Sequence, residues 1–203
     1  LADIHPDTLQ IDLEDADRRV KESTRKVVGI IPVHIGGMMA DMDRVREFAK
    51  KHSLWIVEDA AHSFPSAWRK DKKESWRWCG QGDSKVTCFS FYANKTITTG
   101  EGGMATTHDP QLAERMRIMS LHGISKDAWK RFTAAGSWYY EIVAPGFKYN
   151  LTDLASSIGL HQLDRAEEFR KLREDVAKRY HRGLEDLDFL ELPPSFEDRI
   201  HSW

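Results

Sequence analysis

The sequence predicts an α/β fold, with a largely parallel sheet and helices packed on it. Three observations carry this. Short strand-like runs at Val27–His34, Leu54–Glu58 and Val86–Phe91 are mostly continuous apolar, the pattern of strands covered on both faces. Helix-period segments lie between and after them. The chain has 203 residues, 40% of them apolar and 31% charged, which is ordinary globular composition with enough length for a real core.

Each element has its own signal. Val27–His34 reads as the first strand. In Asp41–His52, Met42, Val45, Phe48 and Ala49 fall on one helical face, with Arg44, Lys50 and Lys51 elsewhere. Leu54–Glu58 and Val86–Phe91 are the next strands, and Gly103–Thr106 a fourth. Asp109-Pro110 opens a helix with a capping residue followed by proline at the first helical position. Its apolar positions are Leu112, Met116 and Met119. A single long helix is expected over Gln162–Leu184, where Leu163, Ala166, Phe169, Leu172, Val176, Tyr180 and Leu184 recur every three or four residues. Trp68–Gly82 is polar, Trp-rich and reads as a loop. Ser125–Phe147 mixes a short helical piece, Lys126–Phe132, with the aromatic run Trp138-Tyr139-Tyr140. No internal repeat or low-complexity tract is present.

Composition excludes several function classes. The formal net charge of −2 gives no bulk field for nucleic acid or an anionic membrane. The longest apolar run, Val27–Val33, is interrupted by Gly29 and Pro32, far short of the roughly 20 residues a spanning helix needs. The opening LADIHPDTLQIDLEDAD is acidic and has no apolar signal core. Cys79 and Cys88 are too few for a disulfide framework and lack zinc-pair spacing. Cys88, inside VTCFSF, is expected to be a buried thiol, and a cytoplasmic, reducing compartment follows. No metal centre is expected from the histidines, which include no H-E-x-x-H. Gly100–Ala105 matches G-x-G-x-x-A, but the dinucleotide fingerprint needs a helix directly after it, and MATTHDP reads as strand and turn. There is no G-x-S-x-G nucleophile elbow.

Three segments carry candidate chemistry. In LWIVEDAAH an apolar strand runs out into Asp59, with His62 three residues on. Ligands of open α/β sheets gather at the carboxyl ends of strands, so an acid there meets a ligand. In CFSFYANKTITTGEGG, Lys95 follows a strand and precedes a glycine turn. A lysine in a dry cleft can lose its proton and form an imine, and Ser90 offers a hydroxyl to an anion. In GFKYNLTDLASSIGLHQL, Thr152 or Asp153 can cap a helix and Lys148 is a candidate anion contact. Taken singly, each residue is more often a cap, a structural histidine or a solvated lysine.

Together, EDAAHSF, CFSFYANKTITTGEGG and GFKYNLTDLASSIGLHQL, in this order and spacing, resemble the DegT/DnrJ/StrS sugar aminotransferases, and PVHIGG (Pro32–Gly37) is similar to the family's strand before the first cofactor segment. The resemblance covers about Ile4 to Leu163. It implies a pyridoxal-phosphate enzyme of fold type I. Lys95 matches the lysine that holds pyridoxal 5'-phosphate as a Schiff base, and Asp59 the acid that pairs with the pyridine nitrogen. His62 falls where relatives often carry Gln against the cofactor ring, and Ser90 matches a serine on the phosphate. Lys148 stands where many members have an Asn reaching the neighbouring subunit's phosphate, and Asn150 where Arg is frequent. The implied reaction moves an amino group from an amino-acid donor, glutamate, to a nucleotide-linked keto sugar, in a homodimer with shared active sites.

Relatives begin further upstream and end with a fuller small domain. The expectation is therefore a fragment truncated at both ends: residues 1–165 a partial cofactor domain, residues 166–203 a linking helix and the start of a small C-terminal domain. Such a fragment would be inactive alone. Three rivals remain. Sugar dehydratases of the family carry His at the lysine position, and Lys95 argues against them. A non-catalytic or regulatory protein on the same fold would not need Asp59, Ser90 and Lys95 together. A structural fragment would have no site of its own.

Overall fold

The computed structural model describes residues 1–124 and 140–203. The expected helical piece Lys126–Phe132, with Trp138 and Tyr139, lies outside the described residues.

A helix absent from the sequence reading comes first, α1 (Leu13–Glu22). The Asp12 side chain caps it, accepting from the Glu14 and Asp15 N–H groups. Leu13, Ala16 and Val20 recur at helical spacing and join the core. After β1 (Gly29–Ile30), a single turn, Ile35–Gly37, leads to α2 (Met42–His52). Asp41 caps α2 through the Asp43 and Arg44 N–H groups, and Ser53 ends it in the left-handed region. The expected face is the buried one: Met42, Val45, Phe48 and Ala49 pack with Ile30, Ile56, Met39 and Trp68.

Further along the chain come β2 (Trp55–Asp59), β3 (Ala67–Trp68), β4 (Arg77–Trp78), β5 (Val86–Ser90), β6 (Gly103–Thr106) and α3 (Pro110–Ser120). The main sheet has the order β1-β2-β5-β6. β1, β2 and β5 are parallel, and β6 pairs antiparallel at the edge. As expected, Asp109 caps α3 through the Gln111 and Leu112 N–H groups.

The first strand is shorter than expected. Pro32 has no N–H to give the ladder, and beyond Ile30 only the Val33–Asp59 bridge continues it. Its apolar run is also not covered on both faces, because Val28, Ile31 and Val33 are exposed, as is Trp55 on β2. Cys88 departs from expectation too. It is exposed, third in β5, on a strand that is buried only at its start.

Trp68–Gly82 is not simply a loop. It supplies part of a second sheet, ordered β4-β3-β7 and antiparallel throughout, closed by β7 (Arg199–Ile200). Trp68 is buried there, with the Arg77 guanidinium 4.8 Å from its ring centroid and that of Arg199 at 5.5 Å.

The helix expected to start at Thr152 or Asp153 is α4 (Asp153–Asp164), and the long helix expected over Gln162–Leu184 is α5 (Ala166–Leu184), which starts later because Gln162–Asp164 belong to α4. Arg165, at φ −106° and ψ 5°, breaks them, with its guanidinium turned forward onto Glu168 at 3.0 Å and over the Phe169 ring. Thr152 caps α4 through the Ala155 N–H.

Candidate active site

The site sits at the carboxyl ends of β2 and β5. Asp59 is the last residue of β2 and half-buried. Its N–H donates to Pro32 O at 3.0 Å, and its carbonyl accepts from the His34 N–H at 2.9 Å. Oδ1 accepts from the Ala61 N–H at 3.0 Å, which fixes the turn after the strand. Oδ2 has no partner among the described residues.

Across the parallel ladder Asp59 pairs with Cys88. The Cys88 thiol is pushed up from its ordinary value, first by partial burial and then by the Asp59 carboxylate. Ser90 is two residues further along β5, on the same side of the sheet, at the strand's end. Its Oγ accepts from the Tyr92 N–H at 3.3 Å.

Lys95 stands in the turn beyond β5, half-buried, with its own N–H on Tyr92 O at 3.1 Å. The segment folds back on Phe91, which donates to Gly102 O and accepts from the Thr99 N–H and the Thr98 hydroxyl. Here the glycines are structural. Gly100 has φ +80°, and a Cβ on Gly102 would strike the Thr99 hydroxyl and come within 2.9 Å of Leu151. Gly159 of α4 lies against Thr99, so small residues do let that helix close on the turn. The turn is tied further by Thr98 N–H to Gln162 Oε1 (3.2 Å) and by the Thr96 hydroxyl to Ser202 O (3.4 Å).

His62 is exposed, and its Nδ1 accepts from the Gly36 N–H at 3.2 Å. An accepting Nδ1 places the proton on Nε2, which becomes a donor for a ligand. Asp59 and Ser90 thus stand at the ends of neighbouring strands, Lys95 in the turn beyond β5 and His62 on the turn after β2. Lys148 is not brought into that group by any contact among the described residues. It is exposed, and its backbone bridges Leu121 after α3.

Beneath the site lies a pair that sequence reasoning gave no role. His34 and Glu58 are buried, with Nε2 2.8 Å from Oε2. His34 Nδ1 accepts from the Ala40 N–H, and Thr87 donates to Glu58 Oε1. Burial pushes the Glu58 carboxyl up, but the His34 contact and the Thr87 hydroxyl help to hold it below its ordinary value. Cys79 Sγ lies close by, giving a group of donor atoms within 4.8 Å of one another. Burial and the Glu58 charge push that thiol up, and both His34 nitrogens are already engaged, so the arrangement is that of a structural pair. The only signal in the sequence was an acid and a histidine beside apolar strand residues.

The donor set fits pyridoxal phosphate: a carboxylate for a pyridinium N–H, an amine for an aldehyde, and a hydroxyl for a phosphate. Concavity did not point here. Clefts of about 570 and 650 Å³ lie elsewhere, one beside α1 and α2 and the other beneath α5 and β7, and Asp59, Ser90 and Lys95 line neither.

The fold is that of the pyridoxal-phosphate-dependent aminotransferases. The chain belongs to the DegT/DnrJ/EryC1/StrS aminotransferase family, whose pattern it matches over residues 1–203. Members of that family depend on pyridoxal phosphate, and the homologues are sugar aminotransferases. The spore coat polysaccharide biosynthesis protein SpsC of Bacillus subtilis is 43% identical over 203 residues, which is 100% of this chain and 49% of that protein. DesV of S. venezuelae, solved in complex with a ketimine intermediate, superposes with a TM-score of 0.82 at 30% identity, over 100% of this chain and 49% of its own. Spr1654 of Streptococcus pneumoniae in its PLP form gives 0.75 at 30% identity, over 99% and 52%. The chain spans about half the length of the curated relatives it matches. Among the described residues, no helix is long and apolar enough to cross a membrane.

Proposed function

We propose that the protein carrying this chain is a sugar aminotransferase. It moves an amino group from an amino acid, glutamate, to a nucleotide-linked keto sugar, with Lys95 holding pyridoxal phosphate as a Schiff base. One observation supports this most: Asp59 and Ser90 end neighbouring parallel strands, two positions apart in register, and Lys95 follows in a pinned turn. When bound, the cofactor supplies an electron sink for breaking the bond next to the amino group.

The residues do the rest. Asp59 Oδ2, without a partner among the described residues, would hold the proton on the ring nitrogen. Ser90 Oγ would donate to the phosphate, and His62 Nε2–H to the ring's phenolic oxygen. Lys95 Nζ would hold the cofactor and, when free of it, would be the amine that takes and returns a proton. Lys148, exposed at the end of α3, reaches the phosphate of a partner subunit in a homodimer with shared sites.

The test is a borohydride trap. The protein is incubated with pyridoxal phosphate, reduced and digested, and the labelled peptide is sequenced. Label on the Lys95 peptide, absent in Lys95→Ala, is expected. Scattered label in a folded protein of the relatives' full length would remove the reading.

A further inference from the structure

We infer that Arg173 is a positioning residue for Lys95, acting through the backbone of the turn that carries it. This rests on the role proposed for Lys95. Arg173 projects from α5 and is half-buried. Its guanidinium takes no carboxylate among the described residues, although α5 offers several. Arg170 and Lys178 share Glu174, and Arg170 also binds Glu167. Arg173 instead spends its donors on three carbonyls. Nη2 reaches Asn94 O at 2.7 Å and Lys95 O at 3.1 Å, and Nη1 reaches Trp203 O at 2.8 Å.

The fork geometry explains the choice of residue. Two successive carbonyls facing one nitrogen require the peptide between them to hold one orientation, and that peptide begins at Lys95's own neighbour. A planar guanidinium can serve both while its second arm anchors elsewhere, and an ammonium has no such fixed fork. The bonds are charge-assisted, and neither the Asn94 nor the Lys95 carbonyl has another partner among the described residues. Within the turn the Lys95 N–H is held by Tyr92 O, while the ties to Ser202 and to Gln162 of α4 are made by Thr96 and Thr98, after Lys95. The N–H of Lys95 is fixed within the turn, and the carbonyls on either side of its peptide are fixed from α5, which completes the direction in which its side chain leaves the backbone.

The experiment compares Arg173→Met and Arg173→Lys with the wild-type protein that contains these residues. Two quantities are read: the rate at which pyridoxal phosphate becomes borohydride-trapped on the Lys95 peptide, and the affinity for pyridoxamine phosphate. The second ligand cannot form an imine with lysine, so it reports the rest of the site. For Arg173→Met we expect trapping slowed about tenfold or more, as for a misplaced reacting group, with pyridoxamine phosphate affinity within about twofold of wild type. Arg173→Lys should fall between, since one ammonium can recover part of the contact. Wild-type trapping in the Met variant, or equal loss of trapping and affinity, overturns the inference and leaves the Lys95 reading intact. Absence of label in the wild type overturns the Lys95 reading and this inference with it. If circular dichroism shows the Met variant unfolded, the Lys variant decides: slowed trapping with retained affinity supports the inference, and wild-type trapping ends it.

Discussion

The two oxygens of Asp59 have separate tasks, so a substitution can separate them. Asp59→Asn keeps an acceptor for the Ala61 N–H but loses the charge that holds a ring proton. Turnover is expected to fall about 100-fold or more, while cofactor still becomes trapped on Lys95. Equal loss of both would mean that Asp59 serves the fold alone. Glu58 gives a pH prediction. Its carboxyl is held below the ordinary value of 4.5, so its stabilising contribution is complete above that pH and is lost as pH falls through the lower folded value. Urea midpoints measured from pH 6 to pH 3 should drop less steeply in Glu58→Gln, while Glu58→Ala, which leaves the buried His34 Nε2–H without its acceptor, costs about 1–3 kcal/mol. The placement of Asp59, Ser90 and Lys95 near strand ends was legible, because local apolar pattern marks where β2 and β5 stop. Arg173 was not. Its partners lie 78 and 79 residues away, and nothing around it distinguishes it from the other basic residues of α5.

At the scale of elements, legibility followed length and punctuation. α2 announced itself through its apolar face and α3 through Asp109-Pro110, and Asp41 and Asp109 both make their caps. Asp41→Ala should cost about 1 kcal/mol by urea denaturation. Met42→Ala, at a fully buried position, should cost about 2–5 kcal/mol, and a smaller loss would mean that the core collapses around the gap. α1 was missed because Asp12 is one of several acids in its stretch, although Leu13, Ala16 and Val20 were there to be counted. The break between α4 and α5 was missed for a different reason. Arg165 is a good helix former, flanked by neither glycine nor proline, and the apolar period runs through it almost unbroken. β3, β4 and β7 are two residues each, too short for any periodicity, and exist only because distant segments meet.

The whole molecule leaves much apolar surface open. Leu154 is 81% exposed, Tyr149 74%, Leu160 67% and Tyr180 65%, alongside Trp55 on the main sheet and Ile31 just after β1. Patches of this kind mark contacts with further protein, and the chain spans about half of its curated relatives. The 203-residue chain alone should therefore bind an apolar dye such as ANS more strongly than a protein of the relatives' full length. Equal binding would show that these faces stay open in both. The pairing of β3 with β7 has another consequence, in time rather than in space. β7 leaves the ribosome roughly 130 residues after β3, and synthesis at about 5–20 residues per second makes that interval roughly 7–26 s. Until then Ala67 and Trp68 present an unpaired edge to the crowded cell, with β4 on their other side. The cluster Arg69, Lys70, Lys72 and Lys73 directly after β3 gives that waiting edge a positive flank, which discourages another strand from adding to it.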